Sequence, residues 1–393
     1  MKHHMKKVLI FSLAYYPHVG GAEVALKEIT DRISPNDIEF HMVTLRFGRS
    51  LPREERVGNV LVHRIGVGSS RIAKFFFQFY APLVAARLHQ KHHFGATWAI
   101  MAHSAGVPAA LFKLFYSRIP MLLTLQEGDP PAHIERTMLP VWPFFSRAFT
   151  HADAVQAIST FLGAWARQRH FVGPLEIIPN GVDIQRFTGE PVPHAGTVLI
   201  TSSRLVHKNA IDTIIRALAL LSQEVSLVVA GSGPDGHSLK QLAHERGVAE
   251  RVVWKGHVDH AQLPALLHGA DIFIRPSRSE GMGNSFIEAM AAGIPVIGTQ
   301  EGGITDFLIP VQHPVLNKFL TPGVEQATGW AVDKDSPEQI AQAVQHILAH
   351  PEEVRQTVRN AKKLVSEKYD WNLIAQKMRV LFGRVFAAGT IRT

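Results

Sequence analysis

The sequence predicts an α/β protein with two Rossmann-like, doubly wound domains that face a central cleft. Its 393 residues, of which 46% are hydrophobic, are enough for about two domains with buried cores. Short apolar runs alternate with helical patterns, which is typical of parallel sheets covered by helices on both faces. The turn Pro179-Asn180-Gly181 interrupts this alternation, which then starts again. Ligands of such sheets bind beyond the carboxyl ends of the strands, so we expect the site in the cleft.

The apolar runs locate the individual elements. In the first half they predict strands at residues 8–13, 40–45, 60–65, 96–101, 121–125 and 154–158, and helices at 22–33 and 107–115. In the second half they predict strands at 197–201, 226–230, 252–255, 272–274 and 296–298, and a helix at 210–221. We therefore place one domain at residues 1–183 and the other at 184–370.

Composition excludes several classes of protein. The chain has no cysteine, which excludes a disulfide framework and a thiolate metal site. Its apolar stretches are shorter than the about 20 residues of a membrane-spanning helix, and we interpret the run after Lys6-Lys7 as a buried strand, not a signal peptide. Residues 1–190 hold 21 Lys and Arg against 14 Asp and Glu, and residues 191–393 hold 20 against 19. The basic first half indicates an anionic partner on that side, or ordinary surface charge.

Two glutamates, Glu280 and Glu288, flank the most informative stretch of the chain. The residues around them predict a strand, a glycine-rich loop, a short helix and a second strand. Glycines let the backbone approach a ligand, and the helix start offers N–H groups to an anion. Carboxylates on either side suit sugar hydroxyls, so the layout predicts a nucleotide-sugar site. Ser285-x-x-Glu288 is also a capping box, which would by itself explain Glu288, and a solvated loop would explain Glu280.

Arg204 and Lys208 follow the first strand of the second half. If their turn is helical, the two side chains share a face, and a pair of cations at the carboxyl end of a strand suits a diphosphate. The alternative is a pair of surface cations. We favour the diphosphate site, because the preceding strand is predicted to be buried.

Two other motifs have simpler explanations. Residues 231–236 match the G-x-G-x-x-G pattern of dinucleotide sites, but Pro234 interrupts it and no acidic residue ends the next strand, so NAD binding is the weaker interpretation. Asp333-x-Asp335 precedes a helix-start signature, so we interpret it as a cap and expect no metal site.

The first half offers candidates for the side that receives the sugar. Gly20-Gly21 follows the first strand, with Glu23 in the first turn of the next helix, although a simple turn with a helix-start carboxylate explains it as well. Gln126-Glu127 ends another strand and invites an acid–base role, with a turn as the alternative. His103 is the nearest candidate imidazole, with core packing as its alternative.

Taken together, these segments resemble the family 4 glycosyltransferases, retaining enzymes of the GT-B fold. The resemblance spans almost the whole chain. It rests on residues 17–23, 178–183, Arg204 with Lys208, 230–234, the Glu280–Glu288 stretch, 291–296 and 302–303.

The resemblance implies a role for most of the candidates. Glu288 would hold the donor ribose, Glu280 the donor sugar, and Arg204 with Lys208 the diphosphate. The loop backbone would line the donor, and Val258 would lie near the base. Donor contacts are thus expected at Gly231, Gly233, Val258, Gly281, Met282, Gly283, Asn284 and Ser285. Residues 1–183 would be the acceptor domain, 184–370 the donor domain, and the last helix, 371–393, would cross back onto the acceptor domain.

The chain departs from the family pattern at two places. The family's arginine and lysine are usually five apart with glycine next, whereas here they are four apart and followed by Asn209. The family's acceptor-domain strand often ends in a histidine, and here that position is Gln126.

These observations predict a metal-independent hexosyltransferase that uses a UDP- or GDP-sugar as substrate and needs no cofactor. We expect the transfer to be a step of cell-surface glycan or glycolipid biosynthesis, with a glycan or lipid-linked acceptor and no nucleic acid partner. We expect a cytoplasmic protein that contacts the inner face of the membrane through its basic N-terminal domain. The alternatives are a nucleotide-sugar epimerase of the same fold, a nicotinamide-dependent dehydrogenase and a sugar-nucleotide sensor without turnover.

Overall fold

A computed structural model describes residues 5–311 and 326–390. Contacts divide the chain into two compact units, Met1–Asn180 with Trp371–Thr393, and Gly181–Asp370. Each unit contains one largely parallel sheet with helices between its strands, which is the predicted fold class. The first unit ends at Asn180, slightly before the boundary that we predicted at Asp183.

The first unit is built on an eight-stranded sheet. Its strands are β1 (Lys6–Phe11), β2 (Ile38–Leu45), β3 (Glu54–Val57), β4 (Val60–Ile65), β5 (Ala96–Ile100), β6 (Met121–Leu125), β7 (Ala154–Ala157) and β8 (Leu175–Ile177). They lie in the order β3-β4-β2-β1-β5-β6-β7-β8, and β3 alone among them runs antiparallel to its neighbour. The helices are α1 (Gly21–Asp31), α2 (Arg71–His92), α3 (Val107–Phe115), α4 (Pro131–Thr137), α5 (Trp142–Thr150) and α6 (Thr160–Gln168).

The second unit is built on a six-stranded parallel sheet. Its strands are β9 (Thr197–Ser202), β10 (Val225–Ala230), β11 (Val252–Gly256), β12 (Ile272–Arg275), β13 (Val296–Gly298) and β14 (Trp330–Ala331), in the order β11-β10-β9-β12-β13-β14. The helices are α7 (Ile184–Phe187), α8 (Ile211–Leu218), α9 (Gly236–Glu245), α10 (Leu263–His268), α11 (Asn284–Ala292), α12 (Pro337–Ala349) and α13 (Pro351–Lys368). Because β9 pairs with β12, the loops that follow these two strands leave the same edge of the sheet.

The last helix, α14 (Trp371–Thr390), belongs to the first unit. Its apolar side chains, among them Trp371 and Phe382, join the core cluster of that unit. The Phe382 ring lies 5.0 Å from Trp98 of β5 and 5.8 Å from Phe40 of β2. The chain therefore returns to its first unit after completing the second.

Helix α2 has an unusual apolar face. Phe77 is buried against the unit, but Ile72 (68% exposed), Phe76 (63%) and Leu83 (59%) face outward. Phe75, Phe79 and Tyr80 are also exposed. Core packing therefore accounts for Phe77 alone of the aromatic rings between residues 75 and 80. No helix in the part of the chain that the structure describes is both long and apolar enough to cross a bilayer.

Candidate active site

Glu280 is fixed in the loop that joins β12 to α11. Its side chain is buried, and its Oε2 lies 2.5 Å from Nη2 of Arg275. The N–H of Gly303 donates to its carbonyl oxygen at 3.2 Å. Gly302 has a φ of +59°, and a Cβ there would lie 1.9 Å from the same oxygen, so only glycine fits. Gly302 and Gly303, the last segment of the family pattern, therefore hold the backbone of Glu280 in place.

Helix α11 begins differently from the capping-box interpretation. Its N-cap is Gly283, with a φ of 98°, and no side chain caps it. Ser285 is already inside the helix, and its hydroxyl accepts a hydrogen bond from Nη1 of Arg275 at 2.7 Å. The capping box is therefore wrong, because Glu288 lies beyond the first turn. The start of α11 keeps the N–H groups and the partial positive charge that suit an anion.

Glu288 contacts the loop that follows β11. Its Oε1 lies 2.8 Å from Nε2 of His260, and only 13% of its side chain is exposed. Val258 is in the same loop and is half-buried. The contact thus brings the predicted base neighbour and the predicted ribose partner to one place in the second unit.

Arg204 and Lys208 do not share a helical turn. Arg204 lies in a bend after β9 and is exposed, whereas Lys208 lies in the short 3₁₀ turn His207–Asn209, so the condition for a shared helical face is not met. Two contacts nevertheless tie this segment to the Glu280 loop. The N–H of Arg278 donates to the Lys208 carbonyl at 2.7 Å, and Asn209 Oδ1 accepts from Nη2 of Arg275 at 3.2 Å.

Gly231 and Gly233 support the bend that carries Arg204. A Cβ at Gly231 would lie 1.8 Å from the carbonyl oxygen of Ser203, and one at Gly233 would lie 2.2 Å from that of Leu205. The N–H of Leu205 donates to the Ser232 carbonyl at 3.0 Å. This close approach of two backbones explains both glycines without a dinucleotide. Their direct contact with a donor stays a prediction.

The first unit brings Glu23 and His103 to one small cavity. The cavity measures about 100 Å³ and is lined by Ser12, Leu13, Ala14, Glu23, Ile100, Met101, His103 and Ser104. Glu23 lies in the first turn of α1, which begins at Gly21, and its Oε2 accepts from the N–H of Gly20 at 2.7 Å. The bond to Gly20 is the one expected of a carboxylate at a helix start, and Glu23 also lines the cavity.

His103 is backed by a buried carboxylate. It lies in the π-helical turn Ala102–Gly106 directly after β5, and its side chain is 35% exposed. Its Nδ1 lies 3.5 Å from Oε1 of Glu127, which also accepts from the N–H of Ala102 at 2.6 Å. Core packing does not describe a ring that faces a cavity. Gln126 does not line the cavity, and its buried amide oxygen accepts from Asn180 Nδ2 at 3.3 Å.

Asp333 and Asp335 accept hydrogen bonds from side chains near the start of α12. Asp333 Oδ2 accepts from the amide of Gln339, while Asp335 Oδ1 accepts from Nε of Arg278 at 2.7 Å. The hydroxyl of Ser336 caps the helix. Among residues 5–311 and 326–390, no group of three or more His, Asp or Glu side chains is placed to hold a metal ion.

Two family descriptions match consecutive halves of the chain. "Glycosyltransferase Family 4" matches residues 19–186, and "Glycosyl transferases group 1" matches residues 186–364. The chain belongs to the family 4 glycosyltransferases. This result confirms the resemblance drawn from the motifs around Glu280, Glu288 and Arg204.

Known relatives extend the comparison. The chain is similar to a Mycobacterium tuberculosis protein named GDP-mannose-dependent alpha-(1-6)-phosphatidylinositol monomannoside mannosyltransferase. They are 32% identical over 246 residues, which is 56% of this family 4 chain and 60% of the relative. The match thus spans about three-fifths of that relative's length.

Solved structures confirm the GT-B fold. A sucrose-phosphate synthase from Thermosynechococcus elongatus gives a TM-score of 0.80 at 21% identity and covers 98% of this chain and 100% of its own. The Anabaena protein HepE, solved in complex with UDP and glucose, gives 0.76 at 21% identity and covers 97% of this chain and 100% of its own. At this identity the likeness shows the fold alone.

Two residues of the candidate site, Arg275 and His260, were not predicted from the sequence. Arg275 ends β12, so the strand-end rule that identified Arg204 could have found it. His260 carried no such signal, because its partner Glu288 is distant in sequence and belongs to a different element.

Proposed function

We propose that the chain is a retaining glycosyltransferase that moves a sugar from a UDP- or GDP-sugar to an acceptor hydroxyl. One observation carries the proposal. The Arg204 bend after β9 and the Glu280 loop after β12 leave neighbouring parallel strands and are joined through Arg275 and Asn209. These contacts join the segment of Arg204 and Lys208 to Glu280 and to the start of α11, and this supports a site for a diphosphate flanked by sugars. The mycobacterial relative is named as a GDP-mannose-dependent enzyme, which supports a nucleotide-sugar donor.

The reaction needs charge neutralisation more than a nucleophile. The bond between the sugar's anomeric carbon and the diphosphate oxygen breaks, and the diphosphate leaves with its electrons. Arg204, Lys208 and the first N–H groups of α11 stabilise this growing negative charge. Glu280 and Glu288 hold the sugar and the ribose through their hydroxyls. The acceptor oxygen then bonds to the anomeric carbon on the face that the diphosphate left, and its hydroxyl proton passes either to the departing diphosphate or to a side chain of the first unit that acts as base.

The acceptor hydroxyl is proposed to bind in the first unit. Of the side chains that line the small cavity there, Glu23 and His103 carry groups that can accept a proton. Glu127 lies behind His103, with its Oε1 3.5 Å from Nδ1 of the imidazole. These groups support a role in binding the acceptor or its proton.

The donor is tested by thermal unfolding against UDP-, GDP- and ADP-sugars, with NADH in the same panel. We expect one sugar nucleotide at 100 times its Kd to raise the free energy of unfolding by about 2.7 kcal/mol. NADH is expected to leave the transition unchanged. Stabilisation by NADH alone would instead support a dehydrogenase.

Product analysis separates the remaining alternatives. Incubation of the identified donor without acceptor should give no isomerised sugar. A transferase needs an acceptor hydroxyl to react, whereas an epimerase converts the donor by itself. Isomerised sugar in that sample would support an epimerase. Tight binding with neither transfer nor hydrolysis, over a broad acceptor panel, would support a sensor.

The acceptor is proposed to be membrane-linked, and α2 is proposed to meet the membrane. The helix contains no acidic residue, and Arg71 and Lys74 adjoin its exposed rings. Both cations are exposed, and 45% of Phe75 and 63% of Phe76 is accessible. Basic groups near an anionic leaflet contribute about 1 kcal/mol each, and aromatic rings favour the interface. The lipid acceptor in the relative's printed name agrees with this proposal.

Liposome co-sedimentation tests the membrane contact. The protein should sediment with vesicles that contain anionic lipid, and much less with neutral vesicles. Arg71→Glu/Lys74→Glu and, separately, Phe76→Ser should each reduce the bound fraction. The matched control is Arg359→Glu/Lys363→Glu on α13, which reverses the same number of exposed charges in the other unit. Equal binding by wild type and the Arg71/Lys74 variant would point to a soluble acceptor.

A further inference from the structure

Arg275 connects three segments that carry proposed donor contacts. Its Nη2 lies 2.5 Å from Oε2 of Glu280 and 3.2 Å from Oδ1 of Asn209, to which it donates a hydrogen bond. Its Nη1 donates to the hydroxyl of Ser285 at 2.7 Å. One guanidinium thus contacts the turn beside Lys208, the Glu280 loop and the start of α11. An arginine suits this place because its planar fork can bond in several directions at once.

The ion pair between Arg275 and Glu280 is largely withdrawn from water. Only 12% of the Arg275 side chain and 9% of the Glu280 side chain is exposed. Glu280 Oε2 is close to the guanidinium but makes no hydrogen bond of normal geometry within the described residues. Nε of Arg275 is also buried without a hydrogen-bond partner there. Glu280 Oε1 accepts a hydrogen bond from the N–H of Gly281 at 3.2 Å, and a carboxylate oxygen can accept more than one, so the carboxylate can bind a further donor while the cation sets its position. This is the arrangement that an acceptor of sugar hydroxyl hydrogens needs.

Asn209 links the same arginine to the cation segment. Its Nδ2 donates to the carbonyl of Arg204 at 2.7 Å, while its Oδ1 accepts from Arg275. Asn209 stands where the family pattern usually has glycine. A glycine has no side chain to make either bond. The contact of Arg275 with this segment therefore depends on the asparagine by which the chain departs from the family pattern.

We propose that Arg275 is a positioning residue for the sugar half of the donor site. It acts through Glu280, whose carboxylate it holds at the place where the donor sugar binds, and the inference rests on the proposed function. The nucleotide half depends on Glu288, whose carboxylate contacts His260; in the described part of the chain no hydrogen bond or ion pair joins it to Arg275. Loss of Arg275 should therefore weaken recognition of the sugar more than recognition of the nucleotide.

The test compares Arg275→Met with Arg278→Met. Arg278 is in the same segment, but its guanidinium pairs with Asp212 at 2.8 Å and Asp335 at 2.7 Å, away from Glu280. The readout is the ratio of two dissociation constants, one for the nucleotide-sugar and one for the corresponding nucleoside diphosphate. We expect Arg275→Met to reduce the preference for the nucleotide-sugar by about tenfold, the value of one charge-assisted hydrogen bond. Arg278→Met should leave the ratio within about twofold, whatever it does to the melting temperature.

A double-mutant cycle identifies the route. In a Glu280→Gln background, Arg275→Met should change the ratio little further, because the group it positions is already neutral. If Arg275→Met does not fold, Arg275→Gln keeps a hydrogen-bond donor and is measured in the same way. An unchanged ratio in the folded variant, or full additivity with Glu280→Gln, would overturn the inference. Failure of the wild type to bind any nucleotide-sugar would instead overturn the proposed function.

Discussion

Replacing Arg204 or Lys208 by alanine is expected to lower kcat/KM for transfer by about 100-fold or more, with the fold retained. In the proposed site each cation would face a diphosphate whose negative charge grows as the glycosidic bond breaks, so its loss should affect the transition state more than the ground state. Arg204 is exposed and Lys208 half-buried, so neither side chain is needed for core packing. Steady-state kinetics with the donor from the thermal panel measures the loss, and kcat should fall at least as much as KM rises.

Arg246→Ala is the matched control for this experiment. Arg246 is an exposed cation in the same unit and lies at the end of α9, outside the proposed site. It should retain the kinetics of the wild type, because an isolated exposed charge contributes little. Wild-type kinetics in Arg204→Ala or in Lys208→Ala would mean that the four-residue spacing has moved that residue away from the diphosphate.

The sequence predicted the strands that carry continuous apolar runs. Residues 60–65, 121–125 and 296–298 form strands with the predicted bounds. The strands that it did not predict lie at the sheet edges. β3 reads Glu-Glu-Arg-Val and β8 has three residues, and neither buries enough apolar side chain to leave a pattern. Edge strands depend on pairing with a neighbour, which a local pattern does not contain.

The candidate site was predictable where chemistry is local. The Glu280–Glu288 stretch contains its glycines and carboxylates within a few residues, so a sequence pattern can identify them. The capping box failed because the helix starts earlier than the box requires: Gly283, at a φ of 98°, is the N-cap, and Ser285 lies inside α11. The strand-end rule could have found Arg275 but not its contact with Asn209, and His260 became visible only through its contact with Glu288 on a distant element. Tertiary contacts of this kind have no sequence spacing from which to derive them.

Glu288→Ala is expected to weaken binding of the nucleotide-sugar and of the bare nucleoside diphosphate alike. The carboxylate would accept hydrogen bonds from the ribose, and bonds to a charged acceptor contribute about 1.5–3 kcal/mol, which corresponds to about 10- to 100-fold in Kd. The contact with His260 is lost as well, which should lower the free energy of unfolding by about 1 kcal/mol. Isothermal titration calorimetry and thermal unfolding measure the two effects separately.

Two variants distinguish ribose binding from a purely structural role for Glu288. His260→Ala removes the same protein contact but leaves the carboxylate, so it should affect stability like Glu288→Ala and affect the Kd much less. Glu288→Gln keeps an oxygen that can accept from both the ribose and His260, and its Kd should lie between wild type and Glu288→Ala. Because the helix cap is Gly283, the capping box no longer provides a reason for a stability loss at Glu288. A Glu288→Ala protein that binds nucleotide like the wild type and is merely less stable would show that this carboxylate serves His260 alone.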